Sequence, residues 1–154
     1  MPEYFKAGLL LLCCGLCANA ADFRLGIIGT DTSHVPVFTR EFNDATAPGF
    51  VPGFRVVAAY KGGSPDIPDS ATRVDGFANQ VQDKYGVQIV PDIPTLCSMV
   101  DGVLLESGDG RRHLAPARQV IAAHKPKFID KPLASTLADG RALARLAREA
   151  GVPW

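Results

Sequence analysis

The chain lacks an excess of charge of either sign, since its 154 residues carry 16 Lys plus Arg and 16 Asp plus Glu. A balanced surface offers no general attraction to nucleic acid or to an anionic membrane, so we expect neither as a partner. Hydrophobic residues make up 47% of the chain, which is enough for one good core. The sequence therefore predicts a single ordered domain rather than several.

Cysteine is scarce, and three of the four cysteines (Cys13, Cys14 and Cys17) lie close to the N-terminus. Cys97 is the fourth, so no disulfide framework is expected. Because Leu96 and Met99 surround it, we expect Cys97 to be a buried small hydrophobe rather than a nucleophile. The sequence also lacks a G-x-S-x-G nucleophile elbow and any His/Cys/Asp/Glu set with the spacing of metal ligands, so no metal site is predicted.

A long apolar run occurs at the N-terminus, from Ala7 to Cys17, and it is preceded by Lys6. Its length is too short for a comfortable membrane span. The small-x-small pattern Ala18-Asn19-Ala20 follows, as in secretory signal peptides. We expect a signal peptide over residues 1–20, export to the periplasm or the extracellular space, and no stable membrane association after cleavage. An uncleaved N-terminal anchor is the alternative.

The mature chain, 21–154, opens on a strand, a glycine turn and a helix. Leu25, Ile27 and Ile28 form a short apolar run that suits a strand covered on both faces. Gly29 ends the run where a tight turn needs a residue without a Cβ. Ser33 is expected to cap the helix that follows. Free amides and the helix dipole at such a turn favour an anion.

The same unit repeats along the chain. Strands are predicted at 54–60, 87–90, 102–105 and 127–129, with the entry to a sixth strand at 152–154. Helices are predicted at 33–44, from residue 74 to 86, at 93–100, from 114 to before 125, and after a capping box formed by Thr136 and Asp139. This alternation predicts an α/β fold: a doubly wound, mostly parallel, Rossmann-like sheet with helices on both faces. Ligands bind such sheets beyond the carboxyl ends of the strands.

Four segments carry a family resemblance: Gly26-Ile-Ile-Gly29, the strand Val103-Leu-Leu105, His113, and Phe128-Ile-Asp-Lys-Pro-Leu-Ala134. Over about 23–154 the chain resembles the N-terminal nucleotide-binding domain of the Gfo/Idh/MocA oxidoreductases. The resemblance implies a bound NAD(P) and hydride transfer to or from a small molecule, namely a sugar, a polyol or a related carbonyl compound. It also implies a second, mostly antiparallel domain that forms a homo-oligomer interface. Because the sequence ends where that domain would begin, we expect a truncated chain or a fragment.

Several residues are candidates for holding the cofactor. The dinucleotide fingerprint is G-x-G-x-x-G/A, and this chain keeps its first glycine but has Asp31 and His34 at the other two positions. Lys61 follows the second strand, where an acidic residue would hold the ribose of NAD, so its charge slightly favours NADP. The predicted cofactor-binding residues are Gly29, Thr30, Asp31, Ser33, His34, Lys61, Glu106 and Pro132.

Lys131 and Asp130 are the predicted catalytic residues. The resemblance places Lys131 beside the nicotinamide and the substrate hydroxyl, where it orients the substrate and relays protons, and it makes His113 a structural or cofactor-edge residue. Asp130 stands where the family usually has Glu. Two other functions stay open: a non-catalytic Rossmann module that binds a small ligand, and a truncated inactive remnant.

Overall fold

The computed structural model describes residues 21–154, so the predicted signal peptide and its three cysteines lie outside the described residues. Within that range the elements alternate as β and α units. In chain order they are β1 (Phe23–Ile28), α1 (His34–Asn43), β2 (Phe54–Tyr60), α2 (Pro68–Tyr85), β3 (Gln88–Val90), α3 (Ile93–Met99), β4 (Gly102–Leu105), a short 3₁₀ helix (Gly110–Arg112), α4 (Leu114–Ala122), β5 (Lys127–Ile129) and α5 (Leu137–Glu149).

The five strands form one parallel sheet in the order β3-β2-β1-β4-β5. The predicted doubly wound α/β fold is confirmed. Strand order reverses between β1 and β4, and the first turn of the chain lies at this switch point. The carboxyl ends of β1, β4 and β5 meet there, which brings together the segments that follow each of them.

Both faces of the sheet are covered. On one face Val35 of α1 and Val81 of α2 are fully buried against Ile27 of β1. On the other face α3, α4 and α5 pack on the sheet, where Leu96 and Leu143 are fully buried. Burial on both sides explains why the strands are short continuous apolar runs rather than alternating ones. Cys97 is buried in the second core, as predicted, and burial raises the pKa of its thiol.

Two helix N-termini differ from the prediction. Helix α2 begins at Pro68 instead of Val74, because Pro68 supplies the first turn and Asp69 favours the positive end of the helix dipole. At α1, Ser33 makes no side-chain capping bond. Its backbone is already right-handed helical, whereas a capping side chain needs an extended backbone at that position.

The C-terminal part of the structure agrees more closely with the sequence prediction. Thr136 caps α5, since its hydroxyl oxygen accepts from the Asp139 amide at 3.1 Å. No strand is formed by residues 152–154, where the entry to a sixth strand is predicted. The segment after α5 instead places the Pro153 carbonyl beside β5, where it accepts from the Lys127 amide at 3.1 Å.

Among residues 21–154, no helix has the length and apolar character needed to cross a membrane.

Candidate functional site

The turn between β1 and α1 is shaped around Gly29. Its φ is +89°, in the left-handed region that favours glycine. A Cβ at this position would lie 2.7 Å from the Ser107 amide nitrogen and would also clash with the Ser107 side chain. The backbone of Gly62 also comes close, since a Cβ there would lie 3.3 Å from the Gly29 Cα. The turn itself and the loops after β2 and β4 therefore converge at Gly29. Their close approach leaves no room for a side chain at this position.

Asp31 follows in the same turn, and its side chain is buried. One carboxylate oxygen accepts from the Ser70 hydroxyl at 2.6 Å, and the other accepts from the Gly108 amide at 3.1 Å. Asp31 thus ties the turn to α2 and to the loop after β4. It brings a negative charge to the position where the dinucleotide fingerprint has a glycine.

The residues after Gly29 line a cleft of about 250 Å³ at the switch point. We name it the switch-point cleft; its walls are Asp31, Thr32, Ser33, His34, Ile67, Asp69, Ser70, Arg73, Gly108, Asp109 and Lys131. The amides of Asp31, Thr32 and Ser33 donate to no backbone carbonyl in the described part of the chain. Such amides at a helix N-terminus are the donors that a phosphate uses.

Lys61 lies outside the switch-point cleft. It lines a neighbouring depression of about 310 Å³ together with Gly62, Gly63 and Ser64. Its ammonium pairs with Asp75 of α2 at 2.8 Å, and both side chains are solvent-exposed. Ser64 lines the depression and Ser70 lines the switch-point cleft. A hydrogen bond joins them, in which the Ser64 amide donates to the Ser70 hydroxyl oxygen at 2.6 Å. A 2′-phosphate would have to compete with Asp75 for Lys61.

Three ionisable residues meet at the carboxyl ends of β1, β4 and β5. His34 begins α1, Glu106 follows β4, and Asp130 follows β5. The His34 Nδ1 atom lies 2.5 Å from an Asp130 carboxylate oxygen. One potential ligand atom from each of the three residues lies within 4.8 Å of the other two. Spacing along the chain could not reveal this set, because 96 residues separate His34 from Asp130.

Glu106 is the most unusual member of this set. Its side chain is fully buried, and neither carboxylate oxygen has a hydrogen-bond partner among the described residues. Burial, reinforced by the Asp130 carboxylate and opposed by the Lys131 ammonium, raises the pKa of Glu106 to about 8. The carboxyl group is therefore protonated in the folded protein at neutral pH.

Lys131 is exposed and faces the switch-point cleft, close enough to Glu106 for its charge to lower the pKa of that carboxyl group. Its backbone amide donates to Asp130 at 2.8 Å, which fixes the orientation of that carboxylate. The peptide bond between Lys131 and Pro132 is cis. The structure thus brings Lys131 to the cleft with Ser33 and His34, whereas Asp130 is buried behind it in contact with His34.

Two other sequence candidates have structural contacts. The Thr30 hydroxyl donates to the Val74 carbonyl at 3.0 Å, so this buried side chain ties the turn to α2. His113 is fully buried, and its ring nitrogens lie 2.9 Å from the Ser107 carbonyl and 3.2 Å from the Leu133 carbonyl. It joins the loop after β4 to the loop after β5, which is a structural role.

Sequence reasoning misses the residues that surround Asp31. Ser64 donates to Asp109 at 2.5 Å, and the Arg111 guanidinium also bonds to Asp109 and holds the pKa of that carboxyl well below its usual range. Asp109 and Ser64 lie in segments that follow a strand directly, after β4 and β2, whereas Ser70 lies within α2. Ser64 and Ser70 have no distinguishing pattern along the chain, because their roles depend on how α2 packs beside the turn.

These features fit a pyrophosphate at the turn with one exception. The left-handed Gly29, the close approach of Gly62 and the amides of Thr32 and Ser33 provide the cradle that such a group uses. Asp31 opposes it, because its carboxylate repels phosphate and already uses the Gly108 amide. The cofactor that the fold implies should therefore bind here with reduced affinity.

Comparisons with solved structures agree with this fold. One similar structure is an oxidoreductase from Agrobacterium radiobacter in complex with NAD+, L-tartaric acid and magnesium (20% identity, 86% of this chain and 34% of that chain, TM-score 0.65). Others are UDP-N-acetylglucosamine 3-dehydrogenase from Acidithiobacillus ferrooxidans (18%, 86% and 36%, 0.63) and myo-inositol dehydrogenase from Lactobacillus casei with NAD(H) and myo-inositol (22%, 83% and 34%, 0.59). At these identities the likeness shows the fold.

The chain spans about a third of the length of these structures. A search of curated proteins gave no match. The model of the Gfo/Idh/MocA family, described as an oxidoreductase family with an NAD-binding Rossmann fold, matches residues 23–154. That match covers nearly the whole described chain, so this protein belongs to the Gfo/Idh/MocA oxidoreductase family and contains its NAD(P)-binding Rossmann domain.

Proposed function

We propose that the chain is the nucleotide-binding part of an exported oxidoreductase that acts on a sugar, a polyol or a related carbonyl compound. The observation that carries this proposal is the Gly29 turn of a Gfo/Idh/MocA domain, which faces a cleft that also contains Lys131. Substrate class follows by analogy with myo-inositol dehydrogenase and UDP-N-acetylglucosamine 3-dehydrogenase, which have the same fold.

The cofactor accepts or gives the hydride when it is bound. The residues of this chain would bind and orient the cofactor: Gly29 would leave room for the pyrophosphate, and the amides of Thr32 and Ser33 would donate to it. Lys61 would contact a 2′-phosphate, which is why NADP is slightly favoured over NAD. In this proposal Lys131 donates to the reacting oxygen of the substrate and relays its proton, while Asp130 holds the Lys131 amide.

Export and the second domain are separate parts of the proposal, and both are tested by the intact mass of the native protein. A mass equal to that of residues 21–154 supports cleavage after Ala20 and a lone Rossmann module. A mass well above that of the 154-residue chain supports a second domain and, with it, a homo-oligomer. A mass equal to the whole 154-residue chain contradicts both.

We expect Asp31→Gly to increase the affinity for NADPH at least about tenfold. The substitution removes a buried negative charge, releases the Gly108 amide and restores the second glycine of the fingerprint. Asp31→Asn removes only the charge and should give a smaller increase. The enhanced fluorescence of NADPH on binding, titrated with each variant and repeated with NADH, measures the effect.

Asp69→Asn is the matched control, because Asp69 lines the same cleft but is exposed and paired with Arg73. Its affinity should stay within about twofold of wild type. Failure of the wild type and of Asp31→Gly to bind either cofactor at millimolar concentration would exclude the oxidoreductase proposal. The alternative then preferred is a non-catalytic module that binds a small ligand in the switch-point cleft.

We expect Lys131→Ala to reduce turnover about 100-fold in the native protein, with NADPH affinity unchanged within about twofold. Loss of a positioned proton donor costs a factor of about 10² to 10⁴, whereas the pyrophosphate contacts remain. Turnover is measured as NADP+ reduction with a panel of polyols and sugars. Lys125→Ala, which lies away from the cleft, should retain full turnover. Equal losses in the two variants would remove Lys131 from the catalytic role.

A further inference from the structure

The set formed by His34, Glu106 and Asp130 has features that cofactor binding does not explain. Glu106 is 0% exposed and Asp130 is 6% exposed, yet both Glu106 oxygens are without a hydrogen-bond partner among the described residues. Buried polar groups are normally paired, because an unpaired one loses its solvation without compensation. Glu106 therefore places a fully buried carboxyl group, unpaired among the described residues, beside another carboxylate and an imidazole.

We propose that His34, Glu106 and Asp130 form a binding site for a divalent transition-metal ion, with Zn²⁺ as the preferred ion. An imidazole nitrogen and carboxylate oxygens are each ligands that bind Zn²⁺ in proteins. Binding of the ion would release the Glu106 proton to solvent, and the two carboxylates would then together neutralise the charge of a divalent cation. The site shares Asp130 with the proposed catalytic residues, but its ligands are side chains and not the backbone amides that would hold a pyrophosphate.

The geometry is close to that of a coordination shell. In a tetrahedral site with bonds of about 2.1 Å, the ligand atoms lie about 3.4 Å apart. The ligand atoms here lie within 4.8 Å of one another, and the shortest separation is 2.5 Å, between His34 Nδ1 and an Asp130 oxygen. Side-chain shifts of about 1 Å would therefore bring all three ligands onto one ion.

The surroundings also suit a metal. The other Asp130 oxygen accepts from the Lys131 amide, which orients the carboxylate as an outer-shell partner does. His34 lies at the wall of the switch-point cleft, with its side chain 33% exposed, so an ion has an entry path. Three protein ligands leave the fourth position open towards the cleft, as in sites that bind a water or a substrate. Lys131 opposes the ion by its charge, although its exposure to solvent weakens this effect.

The test measures Zn²⁺ binding to the purified chain after metal removal with EDTA. Cys13, Cys14 and Cys17 are changed to serine in every sample, so that thiolates outside the described residues do not contribute. Equilibrium dialysis with elemental analysis should give about one Zn²⁺ per chain. Co²⁺ in place of Zn²⁺ should give visible absorption bands of the intensity typical of four-coordinate nitrogen and oxygen ligands.

Glu106→Gln and Asp130→Asn should each weaken Zn²⁺ binding at least about tenfold, because each removes a carboxylate ligand while preserving side-chain shape. Circular dichroism establishes that each variant is folded. The matched controls are His124→Asn and Glu149→Gln, whose side chains are exposed and distant from the set. They should bind as the parent does. Binding by the parent no stronger than by Glu106→Gln, or equal losses in the controls, would overturn the proposal.

Discussion

Glu106→Gln is expected to abolish a steep pH dependence of stability. In the metal-free protein the pKa of Glu106 is raised from 4.5 to about 8, so the folded chain retains a proton that the unfolded chain loses. The contribution of Glu106 to the free energy of unfolding is therefore fully present below pH 4.5. This contribution falls by about 1.4 kcal/mol per pH unit between pH 4.5 and about pH 8, and it is constant above about pH 8.

The whole change in the free energy of unfolding is about 3–5 kcal/mol, because the group is fully buried and the loss extends over about three pH units or more. The glutamine introduced by Glu106→Gln has no proton to lose. The variant should therefore be more stable than the wild type at about pH 9 and close to it at about pH 5. Urea unfolding at about pH 5, 7 and 9 in the presence of EDTA measures the difference.

The comparison of variant with wild type cancels the contributions of the titrating groups that do not interact with Glu106. Glu149→Gln serves as the control, since Glu149 is exposed and its substitution should shift the whole curve by a constant small amount. Parallel curves for wild type and Glu106→Gln would show that Glu106 is solvated or paired in solution. The buried, unpartnered carboxyl group would then be ruled out.

Gly29→Ala is expected to destabilise the protein by about 2–4 kcal/mol and to remove cofactor binding. The substitution places a side chain at φ +89° and brings its Cβ to 2.7 Å from the Ser107 amide nitrogen. Backbone strain alone costs about 1–3 kcal/mol, and the loop after β4 must also move. Urea unfolding gives the stability, and NADPH fluorescence gives the affinity.

Gly53→Ala separates these two causes. Gly53 has a similar φ of +83°, but a Cβ there meets nothing within 4 Å. It therefore tests the left-handed backbone without the clash, and it should cost about 1–2 kcal/mol and leave NADPH affinity unchanged. If the two variants lose the same stability, the close approach of Ser107 to Gly29 is not maintained in solution.

Most of the fold can be predicted from local pattern. The strands at 102–105 and 127–129 and the helix capped by Thr136 lie where expected, because short apolar runs and capping residues depend on nearby positions. The pattern places the start of α2 too late, since the first turns of that helix carry few apolar residues and show no amphipathic period. Ser33 has the right residue type for a cap but the wrong backbone conformation.

The candidate site is predicted less completely. Lys131 and residues 31–34 of the turn line the cleft, and Asp130 contacts His34 beside it, as the position of segments after strands indicates. Glu106 is expected beside the cofactor, but its full burial, with no partner among residues 21–154, depends on side chains from two other strand ends. Sequence reasoning misses Ser70, because only the packing of α2 brings it to Asp31.

Residue type and spacing within short segments establish the order of the elements, the parallel sheet with its two covered faces, and the resemblance to the family. Other features follow only from the assembled fold: Asp31 is held by Ser70 and Gly108, and His34, Glu106 and Asp130 meet at one point. The physical reason is that charge, burial and ligand geometry are set by groups from separate strand ends, whose distance in space cannot be read from their separation along the chain.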